Sequence, residues 1–230
     1  MLNAEYVWTS GAEVLLRIED HDRERCRREF EAGILEDLEW LGYRAAAPLV
    51  RQSERGAIYQ ESIDTLVANG MVYGCSCSRR ELEARPCPCR ERDLALNDGV
   101  GWRLRMDPGT ESFVDQRLGL QQQDPSAGGD VLVRDRLGNW TYQFVASVDD
   151  FRQGIDLVIR GEDLLPSTGR QIRIARLLGR EQPATFLHHP LIMKSPTQKL
   201  SKSDGATGIR ELRARGWTPE EVRATARSYS

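Results

Sequence analysis

Strand-like and helix-like segments alternate at both ends of this 230-residue chain, and a strand-rich stretch lies between them. Near the start, an apolar run at 13–18 predicts a buried strand, and apolar residues spaced three and four apart at 22–42 predict a helix. Near the other end, a strand at 156–160 precedes a helix at 167–178. Such alternation is typical of a parallel α/β sheet, and the interruption predicts a sheet whose two halves are split along the chain.

The spacing of apolar residues and turn residues predicts the remaining elements. These elements are a helix capped by Ser53 that stops at Asn69-Gly70, an alternating strand at 102–106, a hairpin that pairs 131–133 with 140–142, a short strand at 191–193, a polar loop at 194–205, and a helix with a T-x-x-E capping box that begins at Thr218. The sequence shows no apolar partner for this last helix.

Four of the 5 cysteines form the pattern C-x-C-x9-C-x-C. In a cytosolic chain the reducing environment disfavours disulfides. Two close pairs of cysteines separated by a short loop suit tetrahedral ligation of zinc by thiolates. Chance clustering of buried thiols is the alternative, but the charged residues between the pairs make a poor apolar core. Because four thiolates leave no open position for water, the predicted zinc is structural. The predicted ligands are Cys75, Cys77, Cys87 and Cys89.

The net charge of −3, from 32 Lys and Arg against 35 Asp and Glu, gives no overall basic signature. Any contact with RNA would therefore need a local patch. Arginines around the cysteines could form one, although the glutamates among them make a solvated surface the plainer interpretation. These arginines are Arg79, Arg80, Arg85, Arg90 and Arg92.

No uninterrupted apolar run approaches the ~20 residues that a membrane span requires. The start of the chain carries charged residues where a signal peptide would need an apolar block. We therefore expect a soluble cytoplasmic protein with no membrane partner.

Three polar segments follow predicted strands, where the ligands of open α/β sheets bind. Lys199 and Lys202 could neutralise a triphosphate, or they could belong to a solvated basic loop. Glu19 could pair with an ammonium group, or it could favour the start of the next helix. Arg160 could bind a carboxylate through two hydrogen bonds, or it could pair with a neighbouring acid.

Together these segments resemble the class I aminoacyl-tRNA synthetases of the glutamyl type. Lys199–Ser203 resembles the KMSKS signature, Leu15–Asp22 resembles the LLRIEDxD segment, and Ile159–Leu165 resembles the RGxDLL segment. The cysteine module resembles the zinc insertion of the glutamyl-queuosine tRNA(Asp) synthetase branch. The resemblance spans about Ala4 to Gly216, with the motifs in family order.

The resemblance implies a Rossmann-like class I catalytic core with a split parallel sheet, a strand-rich insertion and a small zinc-binding module. It implies that ATP, with Mg²⁺, activates glutamate as glutamyl-adenylate, and that the glutamyl group is transferred to the queuosine base of tRNA(Asp). The expected cofactor is structural Zn²⁺, the expected partners are glutamate, ATP and tRNA, and we expect a monomer.

The resemblance also implies individual roles. An acid binds the substrate ammonium, an arginine binds its carboxylate, and a phenol orients it. His188 and His189 are interpreted as packing residues at a strand end, without a catalytic role. The implied site consists of Glu19, Tyr142 and Arg160 for glutamate, Lys202 for ATP, and Lys199 and Lys202 for catalysis.

Two departures from the family pattern stand out. Cys87 lies where the family usually has a tyrosine, so this chain offers four thiolates in place of three thiolates and a phenol. In addition, residues 1–8 resemble the helix that follows the HIGH motif, so a strand and turn of about 20 residues is missing from the pattern. We expect either a start codon assigned too late or a true truncation, which would weaken adenylation.

Two other functions remain open. One is a fragment of a glutamyl-tRNA synthetase that charges tRNA(Glu), and the other is a catalytically inactive zinc-containing RNA-binding protein. The expected domains are the first half of the nucleotide-binding fold at 1–74, the zinc module at 75–95, an acceptor-type insertion at 96–150, the second half of the fold with the KMSKS-like loop at 151–205, and the start of a helical stem-contact region at 206–230.

Overall fold

The structure, a computed structural model, describes residues 10–21, 28–45, 47–92, 94–191, 193–195, 198–199 and 208–227. Within them the helices are α1 (Arg28–Trp40), α2 (Gly56–Ala68), α3 (Arg79–Ala84), α4 (Tyr142–Arg152), α5 (Thr168–Leu177), α6 (Ile209–Ala214) and α7 (Pro219–Arg227). The strands are β1 (Arg17–Ile18), β2 (Val50–Arg51), β3 (Val72–Cys75), β4 (Gly101–Leu104), β5 (Glu111–Asp115), β6 (Gly119–Gln123), β7 (Val131–Arg134), β8 (Leu157–Gly161), β9 (Thr185–His189), β10 (Met193–Ser195) and β11 (Gln198–Lys199).

The chain divides into two compact units, and each is discontinuous in sequence. The first unit contains the described residues within 1–52, 160–162 and 189–230. The second unit contains those within 53–159 and 163–188. The five-part domain division stays a prediction.

In the first unit, β1 pairs with β2 in parallel, with Arg17 opposite Val50. The strand predicted at 13–18 is therefore confirmed only over its last two residues. Helix α1 confirms the predicted helix from its residue 28 onward, and 22–27 lie outside the described residues. The polar loop predicted at 194–205 is partly wrong, because β10 and β11 pair antiparallel within it.

The last helix has a packing partner that the sequence did not reveal. Val222 of α7 is 3% exposed and clusters with Leu41 and Tyr43, which follow α1. The Arg223 guanidinium also donates to the Leu41 carbonyl at 2.8 Å. The predicted capping box is confirmed, because the Glu221 amide donates to the Thr218 hydroxyl at 3.2 Å and the Glu221 carboxylate accepts from the Thr218 amide at 2.7 Å.

The second unit contains two sheets. Strands β3, β4 and β7 form an antiparallel sheet. The other sheet has the order β6-β5-β9-β8, in which β5 pairs antiparallel with β6 and parallel with β9. The α/β class is confirmed. The described strands form one parallel pair, two antiparallel sheets and one mixed sheet, and the split parallel sheet stays a prediction. The main core includes Tyr59, Ile63, Leu66, Leu104, Met106, Val133, Phe144, Val145, Val148 and Ile174.

The strand and helix predicted at 156–178 are confirmed as β8 and α5. Gly179 has φ of +104°, a conformation that favours glycine and ends the helix. The helix predicted from Ser53 is also confirmed, but its cap is wrong. Ser53 lies in a 3₁₀ turn, and Arg55 occupies the N-cap position without a side-chain hydrogen bond.

The second strand of the hairpin predicted at 131–142 is wrong. Trp140 forms one isolated bridge with Arg134, and Tyr142 is already the first residue of α4. The reason is that the apolar residues after Tyr142 recur at helical spacing and are all buried in the core. These residues are Phe144, Val145 and Val148.

A buried pair of Asp115 and His188 joins β5 to β9. The Asp115 carboxylate accepts hydrogen bonds from the His188 amide at 3.0 Å and from its Nδ1 at 2.6 Å. It also accepts from the amides of Arg117 and Leu118. Burial raises the pKa of Asp115, but these hydrogen bonds outweigh burial and lower the pKa overall. His188 is buried, as a packing residue would be, and it also fixes the pairing of two strands.

Replacing Asp115 with Asn will place an amide where four N–H groups donate to oxygen. We expect the free energy of unfolding at pH 7 to fall by about 3 kcal/mol, because a buried donor then faces other donors. The pKa of Asp115 is lower in the folded state, so its stabilisation is present above its unfolded pKa of about 3.9 and is lost as the pH falls through the folded value.

Urea unfolding at pH 7, 5 and 3.5 measures this difference. The gap between wild type and Asp115→Asn should be smaller at pH 3.5 than at pH 5. Asp98→Asn, at an exposed position, is the control and should stay within about 0.5 kcal/mol of wild type. An Asp115→Asn variant as stable as this control would contradict the assigned role.

Candidate functional site

The four predicted ligand cysteines come together in the second unit. Cys75 ends β3 and Cys77 lies two residues later, before α3 turns the chain back. Ser78 caps α3 through a capping box with Glu81. Cys87 precedes, and Cys89 lies within, a 3₁₀ turn at Pro88–Glu91. The short helix and the turn thus bring the second C-x-C pair against the first.

The sulfur positions fit tetrahedral coordination. Four thiolates at about 2.3 Å from one ion would place their sulfurs about 3.8 Å apart. The Sγ atoms of Cys75 and Cys87 are 3.5 Å apart, those of Cys77 and Cys89 are 3.6 Å apart, and those of Cys77 and Cys87 are 4.0 Å apart. All four lie within 4.8 Å of one another, and none forms a disulfide. The cluster can therefore hold a metal ion.

The surroundings of the thiols affect their ionisation unequally. Burial raises the pKa of the Cys75 thiol, although hydrogen bonds from the Cys77 amide and from Arg103 oppose it. Burial, a hydrogen bond with Cys89 and the charge of Cys75 raise the pKa of Cys77 to about 12. Burial acts in the same direction on Cys89, but hydrogen bonds from the amide and hydroxyl of Ser76 outweigh it and lower its pKa to about 7. Ionisation of Cys75 and Cys77 at neutral pH therefore needs a cation.

Tyr73 lies at the cluster but is not among the site residues that the sequence predicts. Its hydroxyl donates to the Asp130 carboxylate at 2.8 Å. Burial raises its pKa well above the usual range, and hydrogen bonds with Cys87 and Asp130 act in the same direction. Tyr73 therefore stays protonated beside Cys87. Its position two residues before Cys75 on β3 was the available signal, because alternate strand residues share a face.

Two predicted glutamate-binding residues, Glu19 and Arg160, belong to the first unit. Glu19 directly follows β1, and its carboxylate pairs with the Arg17 guanidinium at 3.1 Å. Arg160 lies in β8 and is 9% exposed. The third, Tyr142, is a half-buried residue of the second unit. Their substrate roles stay predictions.

The two predicted catalytic lysines lie in the segment after β10. Lys199 is the last residue of β11, so its backbone is extended. Lys202 lies outside the described residues. The roles of both lysines likewise stay predictions.

Comparison with known proteins shows which family the sequence belongs to. A family model described as "tRNA synthetases class I (E and Q), catalytic domain" matches residues 1–98 and 100–228. The chain belongs to this family. The resemblance that rested on four short motifs is thereby confirmed over nearly the whole sequence.

Individual relatives point in the same direction. The chain is 42% identical over 210 residues to a glutamyl-Q tRNA(Asp) synthetase from Bordetella bronchiseptica, which covers 84% of this chain and 66% of the relative. It is 41% identical over 214 residues to glutamate--tRNA ligase 1 from Rubrobacter xylanophilus, covering 92% of this chain and 44% of the relative. Its fold is similar to that of a glutamate-tRNA synthetase from Elizabethkingia anophelis, with a TM-score of 0.73 and 26% identity.

The chain is shorter than the proteins it resembles. The alignment with the Bordetella relative spans 66% of that protein. The alignment with the Elizabethkingia structure covers 88% of this chain and 48% of that protein. Within the residues that the structure describes, no helix is both long enough and apolar enough to cross a membrane.

Replacing Cys89 with Ser will test the metal centre. Cys89 is fully buried within the cluster. A neutral hydroxyl in its place removes one charged ligand, so we expect metal affinity to fall at least about tenfold. Purified wild-type protein should contain about one equivalent of metal per chain. Elemental analysis after dialysis against a weak chelator measures the retained metal.

The fifth cysteine supplies a matched control. Cys26 stands outside the C-x-C-x9-C-x-C pattern, so Cys26→Ser should retain as much metal as wild type. Equal retention by Cys89→Ser and Cys26→Ser would rule out the four-thiolate centre.

Proposed function

We propose that this protein uses ATP to activate glutamate and transfers the glutamyl group to the queuosine base of tRNA(Asp). The observation that carries the proposal is the 42% identity, over 84% of the chain, to a protein named glutamyl-Q tRNA(Asp) synthetase. The family assignment over residues 1–98 and 100–228 supports it.

The reaction has two steps. In the first, a carboxylate oxygen of glutamate attacks the α-phosphorus of ATP, the bond to the β-phosphate oxygen breaks, and pyrophosphate leaves with Mg²⁺. In the second, a hydroxyl of the modified base attacks the acyl carbon, AMP leaves, and the hydroxyl proton passes to solvent. Neither step needs a covalent bond to the protein, so positioning and electrostatic stabilisation account for catalysis.

The proposed residues match the charges in this chemistry. Glu19 binds the substrate ammonium, and Arg160 binds a carboxylate through its guanidinium fork. Lys199 and Lys202 neutralise the charge that develops as pyrophosphate leaves. Support for Arg160 comes from its place near the carboxyl end of β8, because the ligands of open α/β sheets bind at that end of the strands. The orienting role of Tyr142 remains a prediction from the resemblance.

We propose that the metal of the cysteine cluster is zinc. Four cysteine sulfurs in tetrahedral arrangement are typical of structural zinc, and four thiolates complete its coordination. When bound, zinc would hold the second C-x-C pair against β3. Cys75, Cys77, Cys87 and Cys89 would be its ligands, and it would take no part in bond making.

The second candidate function is charging of tRNA(Glu). The observation in its favour is the 41% identity to a glutamate--tRNA ligase over 214 residues, close to the identity with the Bordetella relative. The two functions share the first step and differ only in the RNA that accepts the glutamyl group.

Activation and transfer can be measured separately. We expect glutamate-dependent exchange of pyrophosphate into ATP in the absence of tRNA. With radiolabelled glutamate, we expect labelling of queuosine-containing tRNA(Asp), and no labelling of tRNA(Asp) without queuosine or of tRNA(Glu). Labelling of tRNA(Glu) would favour the second candidate function, and the absence of both exchange and labelling would refute both.

Replacing Arg160 with Lys will test carboxylate binding. Lysine keeps the charge but loses the two-pronged hydrogen bond, so we expect the KM for glutamate in pyrophosphate exchange to rise about tenfold or more. The KM for ATP should change little. Arg152→Lys is the control, since Arg152 is half exposed and pairs with Glu61 at the surface. Equal rises in the two KM values would contradict a specific role for Arg160.

A further inference from the structure

Arg103 is a partly buried cation beside the cysteine cluster. It lies on β4 directly opposite Tyr73 of β3, one strand away from the first C-x-C pair. One end of its guanidinium donates to the Asp130 carbonyl at 2.7 Å. Its Nε is buried and has no hydrogen-bond acceptor among the described residues. The side chain is thus held at the Asp130 carbonyl, and a hydrogen bond also joins it to the Cys75 sulfur.

Two cavities place Arg103 next to three of the four sulfurs. A cavity of about 400 Å³ is lined by Arg103 together with Cys75 and Cys77. A second cavity, of about 670 Å³, is lined by Arg103 together with Cys87. Arg103 lines both, and its side chain forms a hydrogen bond with the Cys75 sulfur.

The other arginines around these cavities are engaged elsewhere or solvated. Arg79 pairs with Glu83 and is 93% exposed, whereas Arg85 pairs with Glu81 and Arg90 pairs with Asp107. Arg136 is exposed and donates to the Ser76 carbonyl at 2.5 Å. Arg103 differs from them because it is partly buried and, within the described part of the chain, forms no salt bridge with a carboxylate.

Charge arithmetic connects this cation to the cluster. Four thiolates and one divalent ion leave a net charge of −2. A cation removed from water needs an anion, and a dianionic centre removed from water needs cations. The Arg103 guanidinium and the sulfur cluster can satisfy this need together.

We propose that Arg103 is the counter-charge of a tetrathiolate metal centre and that it strengthens metal binding without ligating the ion. The proposal rests on the metal centre proposed above. Arg103 is a positioning and charge-balancing residue, held by Asp130, and it acts through the sulfur atoms.

The test compares metal release from three variants loaded with one equivalent of Zn²⁺. Arg103→Met removes the charge and keeps the length of the side chain, so release to a colorimetric chelator should be about 10- to 100-fold faster than from wild type. Arg103→Lys keeps the charge and should fall between wild type and Arg103→Met. Arg105→Met removes a nearby arginine that lies over the Tyr73 ring at 5.1 Å, and it should release metal within about threefold of wild type.

A second readout separates charge balance from damage to the fold. Thermal unfolding of the metal-free proteins should give the same Tm for Arg103→Met and Arg105→Met, and only the zinc-loaded forms should differ. Wild type that binds no zinc would overturn both the metal centre and this proposal. Two results would overturn this proposal alone, provided that wild type holds zinc. In the first, Arg103→Met releases zinc at the wild-type rate. In the second, metal-free Arg103→Met has a Tm so much lower than that of Arg105→Met that loss of the fold accounts for its faster release.

Discussion

Four cysteine sulfur atoms of the second unit lie within 4.8 Å of one another and constrain the module that carries them. As thiols they make weak hydrogen bonds, and as thiolates they repel one another in a partly buried site. A divalent cation removes that conflict, because it turns mutual repulsion into four favourable bonds. The short α3 buries no residue of its own, so the module around it has little core with which to hold its shape. A bound metal would therefore supply the cohesion that apolar burial cannot.

Elsewhere in the second unit, buried carboxylates fix the elements against one another. Asp149 of α4 accepts hydrogen bonds from Tyr59 and Arg55 at 2.8 and 2.7 Å, which ties α4 to α2 and to the residue before it. Glu111 of β5 pairs with two arginines of α5. A buried carboxylate without such partners would cost several kcal/mol, so each pair permits only one alignment of its elements. Apolar packing alone would tolerate more alternatives.

The sequence predicted helices and short motifs better than strand pairing. The helix at 168–177 was found because its apolar spacing, its position after a strand and the glycine after it all agree. The hairpin strand at 140–142 was misassigned, because a run of three residues with alternating character cannot be distinguished from the start of a helix. The partner of α7 was missed for another reason. Val222 packs on Leu41, 181 positions away, and apolar spacing within one helix carries no information about its contact.

The same distinction explains which parts of the metal centre could be found from sequence. The four cysteines can be recognised from the sequence, because two C-x-C pairs close together are rare and their spacing is local. Tyr73 was accessible in principle, since it lies two residues before Cys75 on one strand and must share its face. Arg103 was not accessible. Its place beside the cluster follows from the antiparallel register that sets it opposite Tyr73, and a shift of one residue would turn its side chain to the other face of the sheet. That register depends on the packing of the whole β3-β4-β7 sheet, so a charge that complements the sulfur atoms emerges only in the folded protein.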